Sequence, residues 1–168
     1  MLYKQKRIGK DEKEFLLLKF RSMYLDADKR GLLTVGGRDP RITPAGYYLR
    51  KYKLDELPQL WNVLKGDMSI VGPRPEVKKY VDLYNAEQRK ILRVRPGITD
   101  MASIEYRDEN ELLSMQAYPE EYYIDHIMPA KIKLNNVFIE APTIGNYFKI
   151  IFKTVKSIFV SLGCRIIN

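Results

Sequence analysis

One stretch, Leu54 to Glu76 (LDELPQLWNVLKGDMSIVGPRPE), constrains the fold of this chain more than any other. Leu57, Leu60, Trp61 and Leu64 recur at helical spacing. Pro58 falls in the first turn, where its missing N–H costs little, and Lys65-Gly66 supplies a stop. Met68 to Val71 is a short apolar run, and Gly72-Pro73-Arg74-Pro75 is a stiff loop carrying one arginine. The stretch predicts a short packed helix, an extended run and a rigid loop in succession, with Asp55 and Glu56 where the helix begins. The expected fold class is α+β: many short helices around a few short strands.

Two adjacent carboxylates at a helix start can be read in two ways. Asp55 can serve as the N-cap and Glu56 as a first-turn acid. Alternatively, a helix N-terminus favours an anion by roughly 0.3–1 kcal/mol and offers free N–H groups, which keeps an aspartate ionised, as a carboxylate nucleophile requires. Two neighbouring anions repel, and a hard, oxygen-preferring Mg²⁺ relieves that repulsion.

Charge narrows the partners. The 168 residues carry 29 Lys and Arg against 21 Asp and Glu, a net charge of +8, which calls for an anionic partner: nucleic acid, a phosphate or nucleotide substrate, or an acidic membrane surface. With 45% hydrophobic and 30% charged residues the chain can bury a core, and its length suits a single domain spanning 1–168. The single cysteine, Cys164, fits a reducing compartment. The only histidine, His126, lacks the partners that metal and triad sites need and is expected on a helix surface. The sequence contains no apolar run of 18 residues, the length that suggests a membrane span.

Taken in order, Leu2–Gln5 and Glu14–Arg21 read as strands around the polar turn Gly9–Glu12, with Phe15–Leu18 a buried run. Lys19 and Arg21 project to one face, an arrangement a bound phosphate would use. Tyr24–Leu33 is a polar helix or loop leading to Gly36-Gly37, and Arg38–Arg41 is a turn. Thr43-Pro44 is an N-cap and N1 pair opening a helix that carries Tyr47, Tyr48 and Arg50. Glu76–Leu92 is helical, with Asn85 and Gln88 as a mid-course restart and Val77, Tyr80, Val81, Tyr84, Ile91 and Leu92 as one core stripe. Arg95–Thr99 is a turn into a strand, and Arg95 is a candidate phosphate or nucleotide contact. Asp108–Met115 and Pro119–Ile127 are helices whose acids form solvated faces, and Pro129–Phe138 is another.

In the last helix, about 143–162, Phe148, Ile151, Phe152, Val155, Ile158 and Phe159 form an apolar face flanked by Lys149, Lys153 and Lys156. Such a helix either docks on the core or lies in a membrane interface, where each lysine near an anionic leaflet adds about 1 kcal/mol.

KFRSM at 19–23, LRKYKLDELPQLWNVLKGDMSIVGPRPE at 49–76 and RPGIT at 95–99, in order, resemble the bacterial sugar transferases, the monotopic polyprenyl-phosphate phosphoglycosyl transferases. The resemblance runs from about Tyr3 to the C-terminal helix. It implies an enzyme at the cytoplasmic face of the bacterial inner membrane. That enzyme moves a sugar 1-phosphate from a UDP-sugar to undecaprenyl phosphate, with Mg²⁺ and an Asp-Glu dyad. On that pattern Asp55 is the nucleophile and Glu56 holds the metal. Lys19, Arg21, Arg50, Pro73, Arg74, Pro75 and Arg95 are substrate-binding, and the last helix lies on the membrane surface. Two departures stand out. Members carry a hydrophobic segment before the position of Leu2, so the chain is expected to be a shortened form. After the threonine many continue Gly-x-Ala-Gln, where this chain has Asp100-Met101-Ala102-Ser103. The competing reading is a non-catalytic basic module binding nucleotide, nucleic acid or anionic membrane. No helix-turn-helix, RRM or zinc-finger pattern supports nucleic acid as a partner.

Overall fold

The computed structural model describes residues 2–36 and 39–164, with the side chains of all but Asp28 and residues 158–164. Of the expectations above, those for Gly37, Arg38 and the side chains of Ile158 and Phe159 lie outside the described residues. The fold is α+β: 53% helix and 14% strand, as short helices around two small sheets.

β1 (Leu2–Ile8) and β2 (Glu14–Phe20) form an antiparallel hairpin in register from Leu2↔Phe20 to Ile8↔Glu14. After the hairpin, Thr43 caps α1 (Pro44–Lys51) by accepting from Gly46 N–H at 2.9 Å, with Pro44 in the first turn as expected. A Cβ at Gly46 would lie 1.9 Å from Ser22 O, so the helix presses its backbone directly on the chain leaving β2. Residues 24–35 hold only a 3₁₀ turn, Ala27–Arg30.

α2 (Gln59–Lys65) ends at Gly66, which takes a left-handed φ of 84°. β3 (Ser69–Val71) then pairs in parallel with β4 (Gly97–Thr99). Parallel strands need a crossover. This one holds α3 (Lys78–Val81) and a 3₁₀ turn, Gln88–Arg93, where the sequence predicts a continuing helix. Asn85 and Gln88 do restart it: each backbone N–H donates to the other's side chain at 2.9 Å. Beside the pair, a Cβ on Gly97 would lie 2.2 Å from Gly72 N, so these two glycines let the turns touch.

The remaining helices are α4 (Met101–Glu105), α5 (Glu109–Ser114), α6 (Pro119–Tyr122), α7 (Met128–Glu140) and α8 (Ile144–Cys164), with a π turn, Tyr123–Ile127, between α6 and α7. The predicted stripe of the crossover is core: Val77, Tyr80, Val81, Tyr84, Ile91 and Leu92 pack with Leu113, Tyr123, Ile127 and Ile132. Three of the acids expected on solvated faces also pair: Asp108, 3.4 Å from Arg107, and Glu120 stay exposed, while Glu109 is drawn in. Glu109 pairs with Lys131 at 2.8 Å, and Glu120 accepts from Tyr80 Oη at 3.0 Å and from Lys79. His126 is exposed beside the Tyr122 ring.

α2 does not pack as its sequence predicts. Leu57, just before it, and Leu60, Trp61 and Leu64 on it are all exposed, whereas Gln59 and Asn62 are buried. The hairpin supplies the reason. A two-stranded sheet has free edges whose N–H and C=O groups must find partners. Asn62 provides them: Oδ1 accepts from Leu18 N–H at 3.0 Å, and Nδ2 donates to Leu16 O at 2.9 Å. α2 therefore turns its amide side inward and its apolar side out.

α8 also divides. Ile150 is buried, the Thr154 and Thr99 hydroxyls meet at 2.7 Å, and Tyr147 Oη lies 3.4 Å from Ser69 Oγ. Phe148, Phe152 and Val155 stay exposed, as do Lys149, Lys153 and Lys156. Among the described residues no helix is long and apolar enough to cross a membrane.

Candidate active site

A cavity of about 630 Å³ is lined by parts of β1, β2, α1, the 3₁₀ turn Leu54–Glu56, residues 98–110 and α8. Among the described residues ten lysines and arginines line it against four acids, so the space is built for an anion.

The dyad sits in the first turn of helical structure, as expected, but in a 3₁₀ turn, Leu54–Glu56, that leads through helical Leu57 and Pro58 into α2. Lys53, in a left-handed conformation (φ 57°, ψ 19°), opens the turn, and Pro58 occupies the N-cap of α2 without a side-chain cap bond. Asp55 is thus a first-turn residue and not an N-cap. It is buried in the cavity wall and accepts no hydrogen bond or ion pair among the described residues. Burial, then the neighbouring Glu56, raise its carboxyl above the ordinary value, while Lys19, Arg50 and Lys53 pull it back.

Glu56 is its opposite. Arg74 grips it with both terminal nitrogens (Nη1 to Oε2 at 3.3 Å, Nη2 to Oε1), and Lys19 Nζ lies 3.7 Å from Oε1. Burial alone would raise this carboxyl, but Arg74 and Lys19 together outweigh it and hold it well below the carboxylate range. Lys19 and Glu56 have side chains only 19% and 14% exposed. Burial lowers the Lys19 ammonium to about 8 against the pull of Glu56.

The other predicted cations divide. Arg50 lines the cavity and donates to Thr34 Oγ1 at 3.0 Å. Arg21 lines it too; its Nε is buried with no partner among the described residues, and its guanidinium lies 5.3 Å from the Tyr3 ring centre. Arg95 is exposed and outside the cavity lining. Pro73 and Pro75 are buried and also outside the lining; they stiffen the loop that presents Arg74.

Several positioning residues escape sequence reasoning. Arg74 N–H donates to Asp100 Oδ2 at 2.8 Å, and Pro75 O accepts from Arg7 Nη1 at 3.0 Å. Arg7 is itself flanked by Glu76 at 3.5 Å, which Tyr123 Oη holds at 2.6 Å. Asp100 also caps α4 through Ser103 N–H at 2.5 Å and accepts from Asn135 Nδ2 at 2.9 Å. Arg41, salt-bridged to buried Asp39 at 2.6 Å, donates to Gly31 O at 2.5 Å and so pins the 24–35 loop over the cavity. The sequence signal available was the capping geometry of Asp100 before Ser103; the partners of Arg7 and Arg41 lie too far along the chain to be read.

Chemically, the wall pairs a desolvated, unpartnered carboxylate with a neutralised one among fixed cations. For a metal the donor set is all oxygen. Among the described residues there is no cluster of three or more Asp, Glu, His or Cys that could enclose an ion. Mg²⁺ commonly takes one or two carboxylates and completes its shell with substrate phosphates and water; Asp55 presents unpaired oxygens to the cavity, whereas both Glu56 oxygens are held by Arg74 and Lys19.

Residues 1–161 match the family model described as "Bacterial sugar transferase". The chain is 33% identical, over 98% of its length and 37% of the relative's, to the UDP-N-acetylgalactosamine-undecaprenyl-phosphate N-acetylgalactosaminephosphotransferase of Aeromonas hydrophila. It is 35% identical over 98% of its length and 36% of the relative's to the galactosyl transferase CpsE of Streptococcus agalactiae. It is 32% identical to the exopolysaccharide production protein ExoY of Sinorhizobium fredii, covering 97% of this chain and 72% of that one. The chain spans a little over a third of the length of the first two.

Proposed function

The chain belongs to the bacterial sugar transferase family, and from that premise we propose that it transfers a sugar 1-phosphate from a UDP-sugar to undecaprenyl phosphate through a covalent aspartyl intermediate. The observation that carries the reading is the split between the two dyad carboxylates. Glu56 is neutralised by Arg74 and Lys19, while Asp55 faces the cavity unpaired. An oxygen of Asp55 attacks the sugar-linked phosphorus of the donor. The bond from that phosphorus to the bridging oxygen breaks, and its electron pair leaves on UMP. A phosphate oxygen of undecaprenyl phosphate then attacks the same phosphorus, the aspartyl bond breaks, and the Asp55 carboxylate is restored beside undecaprenyl-diphosphosugar.

Charge stabilisation is nearly all this reaction asks of the protein. Lys19, Arg21, Arg50 and Arg74 answer the diphosphate charge, and the loop carrying Arg74 is held by Asp100 and Arg7. Mg²⁺ is the proposed cofactor, with Glu56 as its protein ligand beside Asp55 once Arg74 and Lys19 turn from Glu56 to the donor diphosphate. When bound it would neutralise the donor diphosphate and the mutual repulsion of the dyad.

The acceptor is a lipid, and the cavity wall includes Leu57 and Leu60, next to the exposed face of α2, and Thr154 and Ser157 of α8. Laid on an anionic bilayer by the exposed apolar faces of α2 and α8 and the lysines of α8, the cavity would open at the level of the lipid phosphates. The proposed location is the cytoplasmic face of the bacterial inner membrane, where the nucleotide sugar is.

Intact mass tests the half-reaction. After incubation with Mg²⁺ and a panel of UDP-sugars, without lipid, the wild type should gain one phosphosugar and Asp55→Asn none. An adduct on Asp55→Asn would overturn the nucleophile assignment.

A further inference from the structure

The proposed catalysis uses the part of the cavity wall built by β2, α1, the 54–56 turn and the Arg74 loop, and leaves without a role the part built by α4, α5 and α7. There, Ser103 lines the cavity, and its Oγ is buried with no hydrogen-bond partner among the described residues. Glu109 and Lys131 line it as well, paired at 2.8 Å with side chains 20% and 15% exposed.

We propose that this wall is the subsite for the sugar ring of the donor, with the Ser103 hydroxyl reading one polar substituent and the Glu109–Lys131 pair another. The proposal rests on the reading of the cavity as a nucleotide-sugar site. Three observations lead to it. A diphosphate is answered by cations alone, but a sugar ring presents hydroxyls that both donate and accept. This wall supplies both kinds of partner: a carboxylate, an ammonium and a hydroxyl. Ser103 is also tied to the phosphate-binding residues, because the N–H groups of Arg74 and Ser103 donate to the same Asp100 carboxylate, at 2.8 and 2.5 Å. In a sugar 1-phosphate the ring sits directly on the phosphate, so a cavity wall anchored through Asp100 to the backbone of the Arg74 loop stands within its reach. Finally, a buried hydroxyl without a partner gains nothing for the fold. Rotation about one side-chain bond turns it to the cavity, where a ring substituent completes it.

The test measures, by calorimetry with Mg²⁺, the affinities of UDP, UDP-glucose, UDP-galactose, UDP-N-acetylglucosamine and UDP-N-acetylgalactosamine. The full chain carries Asp55→Asn, so that transfer does not consume the donor. At least one UDP-sugar should bind more tightly than UDP. Adding Ser103→Ala should weaken that sugar about tenfold, leave UDP unchanged, and leave the melting temperature equal or higher. Loss of binding without loss of stability separates a ligand contact from a structural one. Glu109→Gln, which keeps an acceptor for Lys131, should change the ranking of the sugars. UDP-sugars that bind no more tightly than UDP, equal losses for UDP and UDP-sugars, or unchanged discrimination in both variants would overturn the subsite and leave the nucleotide reading standing. Absence of binding by UDP and by all four sugars overturns both.

Discussion

Ile127, in the π turn, is 1% exposed, and Leu64, at the end of α2, is 78% exposed. Both are branched aliphatic residues at helical spacing among other apolar residues, yet the fold treats them oppositely. Around Ile127 the rule is the ordinary one: Tyr80, Leu113, Ile127 and Ile132 meet inside, and their burial is the chief source of stability. Around α2 the amides are inside and the leucines outside. The first region holds the chain together. The second gives up apolar burial to seat a free sheet edge and to leave an apolar face beside the cavity. Periodicity identifies a helix with an apolar side; whether that side faces protein depends on what the neighbouring element must satisfy.

The largest expected effect tests this contrast directly. Ile127→Ala should destabilise the fold by about 2–5 kcal/mol, since it removes a fully buried side chain and leaves a cavity. Leu64→Ser should leave stability within about 0.5 kcal/mol, as surface changes do. The same Leu64→Ser should weaken binding to anionic vesicles, followed by the emission of Trp61, the only tryptophan, on the same exposed face. A large loss of stability in Leu64→Ser would mean that the α2 face is covered by protein.

The contrast also marks what was legible in the sequence. The hairpin, the Thr43 cap, the Asn85–Gln88 box and the core stripe could be read because each rests on residues within a few positions of one another. Asp55, Glu56, Lys19, Arg50 and Arg74 were expected together from the motifs the chain shares with the sugar transferases, and the structure brings all five to one cavity. Opposite environments for Asp55 and Glu56 could not be read, because Arg74 reaches Glu56 across 18 positions and Lys19 across 37. The same holds for Asp100, whose role depends on Arg74 and on Asn135, 35 positions away. Arg95, Pro73 and Pro75, expected in the site from the same resemblance, lie outside the cavity lining.

Asn62 is the hinge of the inverted packing, and its replacement should have the next largest effect. Asn62→Leu keeps the volume but removes the partners of Leu18 N–H and Leu16 O along the hairpin edge. Two backbone groups left without a partner should cost about 2–4 kcal/mol in chemical denaturation. Amide exchange at Leu18 should accelerate with it. Unchanged stability would mean that the hairpin edge finds other partners and does not dictate the inversion of α2.

The smallest effect lies at the junction of the two regions, in Lys19, which reaches from the hairpin into the dyad. Its ammonium, lowered by burial to about 8, loses its proton in the folded state while the unfolded chain still holds one up to its ordinary 10.5. The unfolded state therefore binds more protons above pH 8, and this residue makes stability rise with pH. Over the single unit from pH 8 to 9 the rise is at most about 1.4 kcal/mol. It is read as the difference between wild type and Lys19→Met in denaturation at the two pH values. Transfer should move the other way. The neutral amine no longer answers the donor phosphate, so phosphosugar formation should fall across the same interval, and Lys19→Arg, which stays charged, should flatten that fall. Stability and activity diverging at one residue would show that the charge on Lys19 is kept for the substrate at the expense of the fold. Parallel changes in the two would place Lys19 among the structural residues of the hairpin.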